Sequence, residues 1–361
     1  MWLQCLIDRL NVFISSYSYD EDVNELYGQC GNAGQDHSVW GREDEYYNAM
    51  PEPNPRPCYK IDATKPGSDL AGETAAALTA TSLAFKDVNL EYSAKLLEHA
   101  RQLYTFAKTY KGKYSDSIPD AGNFYNSFSG YYDELAWSAA WLYKATGEEA
   151  YLNDAETFYN QMQQDAGEIS WDNKGRAVAI LLSQLTENSR YKQNADSFCN
   201  MFASGNHQKT KRGIVFIQQW GSNRHAANVA FACLSHSKRS AGQFDDFGQN
   251  QIDLMLGDEE KGQRSFVVGY GFNPPTQPHH RSSSCPDRPA TCNWNNFNSP
   301  QPNPQTLFGA LVGGPNSVSA NYNDKRNDYI QNEVAIDYNA GFQSAIAALL
   351  SLQRDNDCDA K

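Results

Sequence analysis

A succession of amphipathic segments along almost the whole chain restricts the fold more than any other sequence feature. Apolar residues recur every three or four positions in ten segments, which is the spacing of one face of a helix. These segments are 1–15, 71–86, 90–110, 133–146, 148–164, 174–187, 189–204, 223–236, 242–256 and the C-terminal stretch around 342–350. Strand-like alternation occurs mainly at 214–217 and 266–268. The sequence therefore predicts a mostly helical protein.

The helical segments come in close pairs that are separated by long loops. Segments 133–146 and 148–164 are joined by Thr146 and Gly147, which is typical of a helical hairpin. Two segments, 25–70 and 257–338, are rich in Gly, Pro, Asn, Ser and aromatic residues. Loops this long inside a domain are usually functional or disordered, and these two carry too many aromatic residues for flexible linkers. Helical hairpins joined by such loops fit an α/α toroid whose site is formed by loops at one end.

Charge and composition argue against some classes of binding partner. The 361 residues carry a net charge of −13 and 12% aromatic residues. Nucleic acids and anionic membranes bind basic faces, so neither is an expected partner. No apolar run approaches the roughly 18 residues that span a bilayer. At the N-terminus, Asp8 and Arg9 interrupt the apolar stretch, so we expect the interior of a helix there and not a signal peptide.

The eight cysteines leave the compartment open. Cys285 and Cys292 flank a short loop that a disulfide can close. Two free thiols are the alternative, which is less favoured if the protein is exported. The other six cysteines are scattered and show no zinc-like spacing.

Two carboxylates lie at a fixed separation in the stretch 322–340, among aromatic and amide side chains and just before a helix. They are Asp324 and Glu333. Hydrolysis of a glycosidic bond needs an acid and a base, usually two carboxylates. Nearby negative charge, as from Asp328, favours the protonated form of a carboxyl group, so Glu333 is the candidate acid. On spacing alone, an exposed acid stabilised by the dipole of the following helix is the alternative.

A second motif, 265–281, ends in three side chains that can donate hydrogen bonds. They are His279, His280 and Arg281, which follow a proline-rich segment. Prolines stiffen such a loop and hold its side chains in place. Imidazole and guanidinium groups suit sugar hydroxyls and can support Glu333 through hydrogen bonds. Adjacent histidine side chains diverge, so zinc binding is disfavoured, and His280 is expected to serve packing.

Together the two stretches resemble the signature segments of glycoside hydrolase family nine, in particular its animal-type cellulases. The resemblance runs from about Glu25 to the C-terminus. It implies an all-α (α/α)6 barrel and a single catalytic domain over 1–361. It also implies hydrolysis of internal β-1,4-glucosidic bonds with inversion. The family's barrel has twelve helices, so ten predicted helices indicate a chain that lacks about two at its N-terminus.

The resemblance also assigns roles to single residues. Glu333 matches the general acid, Asp324 an active-site acid, and His279 and Arg281 the active-site His-x-Arg, with Arg281 binding substrate. Seven further residues match the glucan-binding cleft: His37, Trp40, Tyr125, Phe128, Trp220, Arg224 and Tyr329. Any single ring among them can instead be a core residue. Some family members carry Trp at the position of Phe128.

A candidate structural calcium site follows from the same resemblance. Its members are Ser129, Gly130, Asp133, Glu134 and Asp172. Carboxylate, hydroxyl and carbonyl oxygens are the ligands that Ca²⁺ prefers. The alternative is that Asp133 and Glu134 simply begin a helix. No other cofactor is expected, and the resemblance implies a secreted monomer that binds β-1,4-glucans such as cellulose and cello-oligosaccharides.

The family's water-activating base lies in an Asp-Ala-Gly-Asp segment that this sequence does not contain. The nearest string is Asp120-Ala121-Gly122-Asn123, in an unrelated loop. An inverting hydrolase needs both acid and base. The alternative function is therefore a catalytically impaired glucan-binding protein or fragment that lacks the general base.

Overall fold

Nine helices of eleven or more residues dominate the computed structural model, which describes residues 24–43, 45, 57–162 and 167–359. Nine of the ten predicted helical segments correspond to them, and the segment 1–15 lies outside the described residues. The helices are α1 Ser68–Phe85, α2 Leu90–Thr109, α3 Tyr132–Thr146, α4 Glu149–Gln161, α5 Gly175–Leu185, α6 Ser189–Ala203, α7 Ser222–Ser235, α8 Asp245–Leu256 and α9 Ile336–Asp359.

The remaining regular elements of the described chain are short. Strands β1 (Leu26–Cys30) and β2 (Cys58–Ile61) form an antiparallel pair that the sequence analysis missed. The strands expected at 214–217 and 266–268 are wrong, because each segment forms only an isolated bridge. Short helices are Ala33–His37, Tyr114–Ser117, Ser237–Ser240, Trp294–Phe297 and Tyr329–Asn332, with 3-10 turns at Ala121–Asn123 and Ser282–Ser284.

The chain divides into two compact units. The first holds the described residues up to Asp36, those from 57 to 162, and Trp171–Leu185. In it α1 packs against α2 and α3, and α3 packs against α4 and α5. Small residues allow the close approach of α1 to α3: a Cβ added at Gly72 would lie 3.0 Å from the carbonyl oxygen of Glu134. The single catalytic domain expected over 1–361 stays a prediction.

The second unit contains α6 to α9 and the long loop that carries both sequence motifs. In it α7 packs against α9, α8 and α6. The crossing of α7 and α9 is tight, because a Cβ added at Gly341 would lie 2.9 Å from the backbone nitrogen of Asn228. The packing of α7 on α9 therefore fixes the positions at which these two helices begin.

Three disulfides link the cysteines of the described chain. The predicted Cys285–Cys292 bridge is confirmed, and Cys30–Cys58 and Cys199–Cys233 are further bridges. Cys30–Cys58 joins β1 to β2, and Cys199–Cys233 joins α6 to α7. None of the helices in the described ranges is both long and apolar enough to cross a membrane.

The turn between α3 and α4 gives a direct test of the helical hairpin. Gly147 has φ +71° and donates its backbone N–H to the carbonyl of Tyr143 at 2.8 Å. A left-handed backbone costs an L residue about 1–2 kcal/mol. We therefore expect Gly147→Ala to lower the free energy of unfolding by about that amount, measured by chemical denaturation.

Gly167→Ala is the matched control for this substitution. Open space surrounds the added Cβ at Gly147 and at Gly167, but only Gly147 of the two has a positive φ. The control should therefore change stability by less than about 0.5 kcal/mol. Equal effects of the two substitutions would contradict the left-handed turn.

Candidate active site

Glu333 lies between a short helix and α9, and two neutral donors reach the same oxygen of its side chain. Its Oε2 atom accepts hydrogen bonds from Trp220 Nε1 at 2.6 Å and from Tyr338 Oη at 2.9 Å. Its backbone N–H donates to Tyr329, and its carbonyl accepts from Gly313. The half-buried carboxyl group is thus fixed in position. Among the described residues no hydrogen bond is formed by Oε1 of this carboxyl group.

His279 lies beside Glu333 and is held by backbone groups. Its N–H donates to the carbonyl of Asn332 at 2.8 Å, and the two segments pair as an isolated parallel bridge. Its Nδ1 lies 2.8 Å from the carbonyl of Arg326. Because a carbonyl only accepts, Nδ1 carries the proton and Nε2 is the acceptor of the neutral ring. Burial lowers the pKa of His279 below its usual 6.5, so the ring is neutral at neutral pH.

Arg326 lies within the acid motif and contacts His279, and the sequence analysis did not single it out. It is only 2% exposed, and its guanidinium group donates to Asn303 Oδ1 and to four backbone carbonyls. The carbonyls belong to Asn296, Phe297, Ser299 and Gln301. Its own carbonyl holds His279. The sequence shows an arginine inside the acid motif, but it does not reveal which distant groups this arginine contacts.

Asp324 lies against the proline-rich loop, and its expected role as an active-site acid stays a prediction. Its carboxylate accepts from the backbone N–H and hydroxyl of Thr276, at 2.8 and 2.9 Å, and from the N–H of Gln277 at 3.0 Å. Arg264 lies 3.6 Å away. These contacts fix the proline-rich loop that leads to His279. In this geometry Asp324 positions the loop and is not paired with Glu333.

Two of the predicted sugar-binding residues are exposed beside Glu333. The side chains of Trp220 and Tyr329 are 41% and 46% exposed, and their ring centroids are 5.2 Å apart. His37 is exposed and Arg281 half-buried. Both influence the charge state of His279, because their positive charges would lower its pKa. The four residues therefore belong to the surroundings of Glu333 and His279.

Trp40 and Arg224 are buried, and their expected contact with sugar stays a prediction. Trp40 is 5% exposed and donates from Nε1 to Ser284 Oγ at 2.9 Å. Its ring packs edge-on against His279, with centroids 5.3 Å apart. Arg224 is 6% exposed, donates to Asp337 at 2.6 Å and stacks on the ring of Tyr338. Both buried residues therefore pack against groups near Glu333: Trp40 against His279, and Arg224 against Tyr338.

Tyr125 and Phe128 form an exposed aromatic surface in the first compact unit. They are 41% and 71% exposed. Both rings contact Trp171, at centroid distances of 5.3 and 6.2 Å. The sequence analysis did not single out Trp171, whose position next to Asp172 was the only signal. These rings can stack on a flat ligand within their own unit.

The candidate calcium residues lie together at the start of α3. Asp133 and Glu134 are each 2% exposed. Asp133 Oδ2 accepts from the backbone N–H of Lys174 at 2.7 Å. The Lys174 ammonium lies 3.7 Å from Glu134. Asp172 Oδ1 accepts from the N–H of Ser129 at 3.1 Å. Neighbouring Gly130 has φ +95°.

Two oxygens of this cluster are left without a partner. Asp133 Oδ1 and Glu134 Oε2 are buried and make no hydrogen bond. Burial, and then the charge of Asp133, raise the pKa of Glu134 well above its usual value. Within the described ranges no group of three or more His, Cys, Asp or Glu side chains has the geometry of a metal site.

Comparison with known proteins identifies relatives over nearly the whole chain. A family model described as glycosyl hydrolase family 9 matches residues 10–346. Endoglucanase B of Cellulomonas fimi is 41% identical over 358 residues, which cover 94% of this chain and 33% of that protein. The chain therefore spans about a third of the length of this relative.

Two solved structures are similar in fold. An endoglucanase from the termite Nasutitermes takasagoensis is 52% identical with a TM-score of 0.87, covering 94% of this chain and 76% of its own. The cellulase Cel9M of C. cellulolyticum, solved in complex with cellobiose, is 31% identical with a TM-score of 0.82, covering 95% and 76%. These similarities confirm the predicted all-α, (α/α)6 fold class.

The contacts of Asp324 predict the effect of removing its charge. In Asp324→Asn one acceptor oxygen becomes a donor that faces the N–H groups of Thr276 and Gln277. We expect a loss of about 1–3 kcal/mol of stability. We also expect faster hydrogen exchange at these two amides, measured by NMR or mass spectrometry.

Asp253→Asn, at an exposed position of α8, is the control and should leave both quantities unchanged. Unaltered exchange at Thr276 and Gln277 in Asp324→Asn would show that Asp324 does not position the loop.

Proposed function

The chain belongs to glycosyl hydrolase family 9, and we propose that it acts as an endo-β-1,4-glucanase that cleaves internal bonds of cellulose-like glucans with inversion. The endoglucanase names of its relatives and the cellobiose bound by Cel9M support this proposal. The observation that carries it is the carboxyl group of Glu333, which is fixed by Trp220 and Tyr338 beside exposed aromatic rings.

Glu333 is the general acid of this proposal. Trp220 and Tyr338 both donate to Oε2, so in the acid form of Glu333 the proton lies on Oε1, which accepts no hydrogen bond from the described residues. In the reaction Oε1 gives this proton to the glycosidic oxygen as the bond to the sugar breaks. The two donors then stabilise the carboxylate that remains, because hydrogen bonds to the charged form of a group favour it.

The residues around Glu333 hold the substrate in this proposal. Trp220 and Tyr329 offer flat exposed rings to the apolar faces of glucose units. His37 and Arg281 supply donors for sugar hydroxyls. Neutral His279 offers Nε2 as an acceptor for a hydroxyl, since its Nδ1 proton is committed to the carbonyl of Arg326. Tyr125 and Phe128 are proposed as further stacking positions.

A second candidate function is glucan binding without hydrolysis. Inversion requires a second carboxylate that activates water, roughly 6.5–9.5 Å from the acid. The family places it in an Asp-Ala-Gly-Asp segment, which is absent from this sequence. Reducing-sugar release from carboxymethylcellulose, together with calorimetric binding of cello-oligosaccharides, separates the two. Binding without release would favour this second function, and release would favour the glucanase.

The disulfides bear on where such an enzyme works. Three bridges within one chain are typical of oxidising compartments. We therefore propose that the protein acts outside the cell, where its polymeric substrate is found. We also propose that it acts as a monomer.

A structural calcium ion is a further part of the proposal. Asp133, Glu134 and Asp172, with the hydroxyl of Ser129 and the carbonyl of Gly130, would hold it. The buried oxygens of Asp133 and Glu134 that lack a partner fit a hard cation. The ion would join the start of α3 to the segment before α5 and supply no chemistry to the reaction.

The role of Glu333 predicts the result of one conservative substitution. Glu333→Gln keeps the contact with Trp220 but has no acidic proton to give. We expect turnover on cellohexaose to fall about 10²-fold or more while binding is retained. Turnover and binding are measured by product chromatography and calorimetry.

Glu259→Gln, at an exposed position, is the control and should retain full activity. Near-normal hydrolysis by Glu333→Gln would remove Glu333 from the acid role.

The calcium proposal predicts a rise in melting temperature with added Ca²⁺. A ligand that binds only the folded state stabilises it by about 2.7 kcal/mol at one hundred times its dissociation constant. Asp172→Ala should abolish this rise, whereas Asp253→Asn should retain it. Identical melting curves with excess Ca²⁺ and with chelator would leave Asp133 and Glu134 as residues that begin α3.

A further inference from the structure

Trp294 is an exposed tryptophan that neither motif includes. Its side chain is 43% exposed in the short helix Trp294–Phe297. Its ring contacts Trp40 and Phe297, at centroid distances of 5.8 and 5.2 Å. Both of these rings contact His279, at 5.3 and 5.9 Å. Trp294 is therefore one ring away from the groups that surround His279.

These contacts form part of a continuous row of rings. From His279 the row continues to Tyr329 at 6.0 Å and from there to Trp220 at 5.2 Å. The exposed members are Trp220 and Tyr329 at one end and Trp294 at the other, whereas Trp40 between them is buried. A ligand that follows the row would therefore meet flat exposed rings at both ends.

The segment that carries Trp294 is held rigidly. The Cys285–Cys292 disulfide closes the loop just before it. Asn293 caps the short helix: its side chain accepts from the N–H of Asn295 at 2.8 Å, and its own N–H donates to Asn296 Oδ1 at 2.9 Å.

Two arginines hold this segment from outside. Arg326 donates to the carbonyls of Asn296 and Phe297 at 2.6 and 3.3 Å. Arg42 donates to the carbonyl of Ala290 at 2.8 Å. A ring whose backbone is already fixed loses little freedom when a ligand binds, so more of the contact energy appears as affinity.

We propose that Trp294 is a further sugar-binding subsite, in which its ring stacks on a glucose unit of a β-1,4-glucan beyond His279. The proposal rests on the proposed function for the identity of the ligand. Stacking suits this position because the ring is wide, exposed and preordered, and because a neutral polysaccharide needs no charged partner. The net charge of −13 does not oppose the binding of an uncharged polymer.

Trp294 can instead be only a cover for Trp40, and the two roles differ in what they predict. A cover affects stability and therefore all ligands alike. A subsite affects only ligands long enough to reach it. The dependence of affinity on ligand length thus separates the two roles.

The test compares the full chain with three variants in calorimetric titrations with cellotriose and cellohexaose. Trp294→Ala removes the ring, and Trp294→Tyr keeps a flat aromatic surface. Phe231→Ala is the matched control, because Phe231 is an aromatic residue 38% exposed on α7, seven residues beyond Arg224. Melting temperatures are recorded for every variant.

We expect Trp294→Ala to reduce the affinity for cellohexaose about 3- to 10-fold and to leave that for cellotriose within twofold. Trp294→Tyr should restore most of the loss, and Phe231→Ala should change neither affinity. An unchanged cellohexaose affinity in Trp294→Ala overturns the proposal, as does an equal loss for both ligands with a lower melting temperature.

The same samples separate this proposal from the glucanase proposal. Length-dependent loss in Trp294→Ala without any reducing-sugar release by the parent chain supports the subsite and contradicts the glucanase. Reducing-sugar release by the parent chain with no effect of Trp294→Ala does the opposite. Failure of the parent chain to bind either oligosaccharide contradicts both.

Discussion

The close packing of α7 against α9 is the constraint on which the site around Glu333 depends. Trp220 precedes the first residue of α7 by two positions, and Glu333 precedes that of α9 by three. The Arg224–Asp337 ion pair links the first turns of the two helices at 2.6 Å. Gly221 passes beneath Tyr338, where an added Cβ would lie 2.9 Å from the ring. The donors to Glu333 are therefore placed by helix packing, and loop conformation alone does not set them.

The charges around Glu333 differ from those expected if a second carboxylate lay directly beside it. Its direct donors are an indole N–H and a phenol O–H, both neutral. The nearby cation Arg224 is committed to Asp337. Asp324 is surrounded by the N–H groups of the proline-rich loop. The direct hydrogen-bond donors to Glu333 are therefore neutral groups, and no ion pair is formed by its carboxyl group among the described residues.

The sequence predicted the helices and the two motifs because each depends on local spacing. The helical spacing of apolar residues can be recognised within a short stretch of sequence, and Glu333 and His279 each lie within one continuous motif. Burial of Trp40 and Arg224 was not predictable, because it depends on distant partners: Asp337 follows Arg224 by 113 residues. The pairing of β1 with β2 was not predicted for the same reason, since Cys30 and Cys58 are 28 residues apart. A strand of four or five residues is too short to be recognised from its own sequence when its pairing partner is distant.

The loop that carries Trp294 has a consequence for how this family can diversify. Its internal disulfide and the hydrogen bonds of Arg326 and Arg42 to its carbonyls hold it through residues that lie outside the nine long helices. Evolution can therefore lengthen, shorten or exchange this loop without disturbing the crossing of α7 and α9. A lineage could change this loop while the contacts of Glu333 with Trp220 and Tyr338 stay intact, and a protein engineer could exchange the loop in the same way.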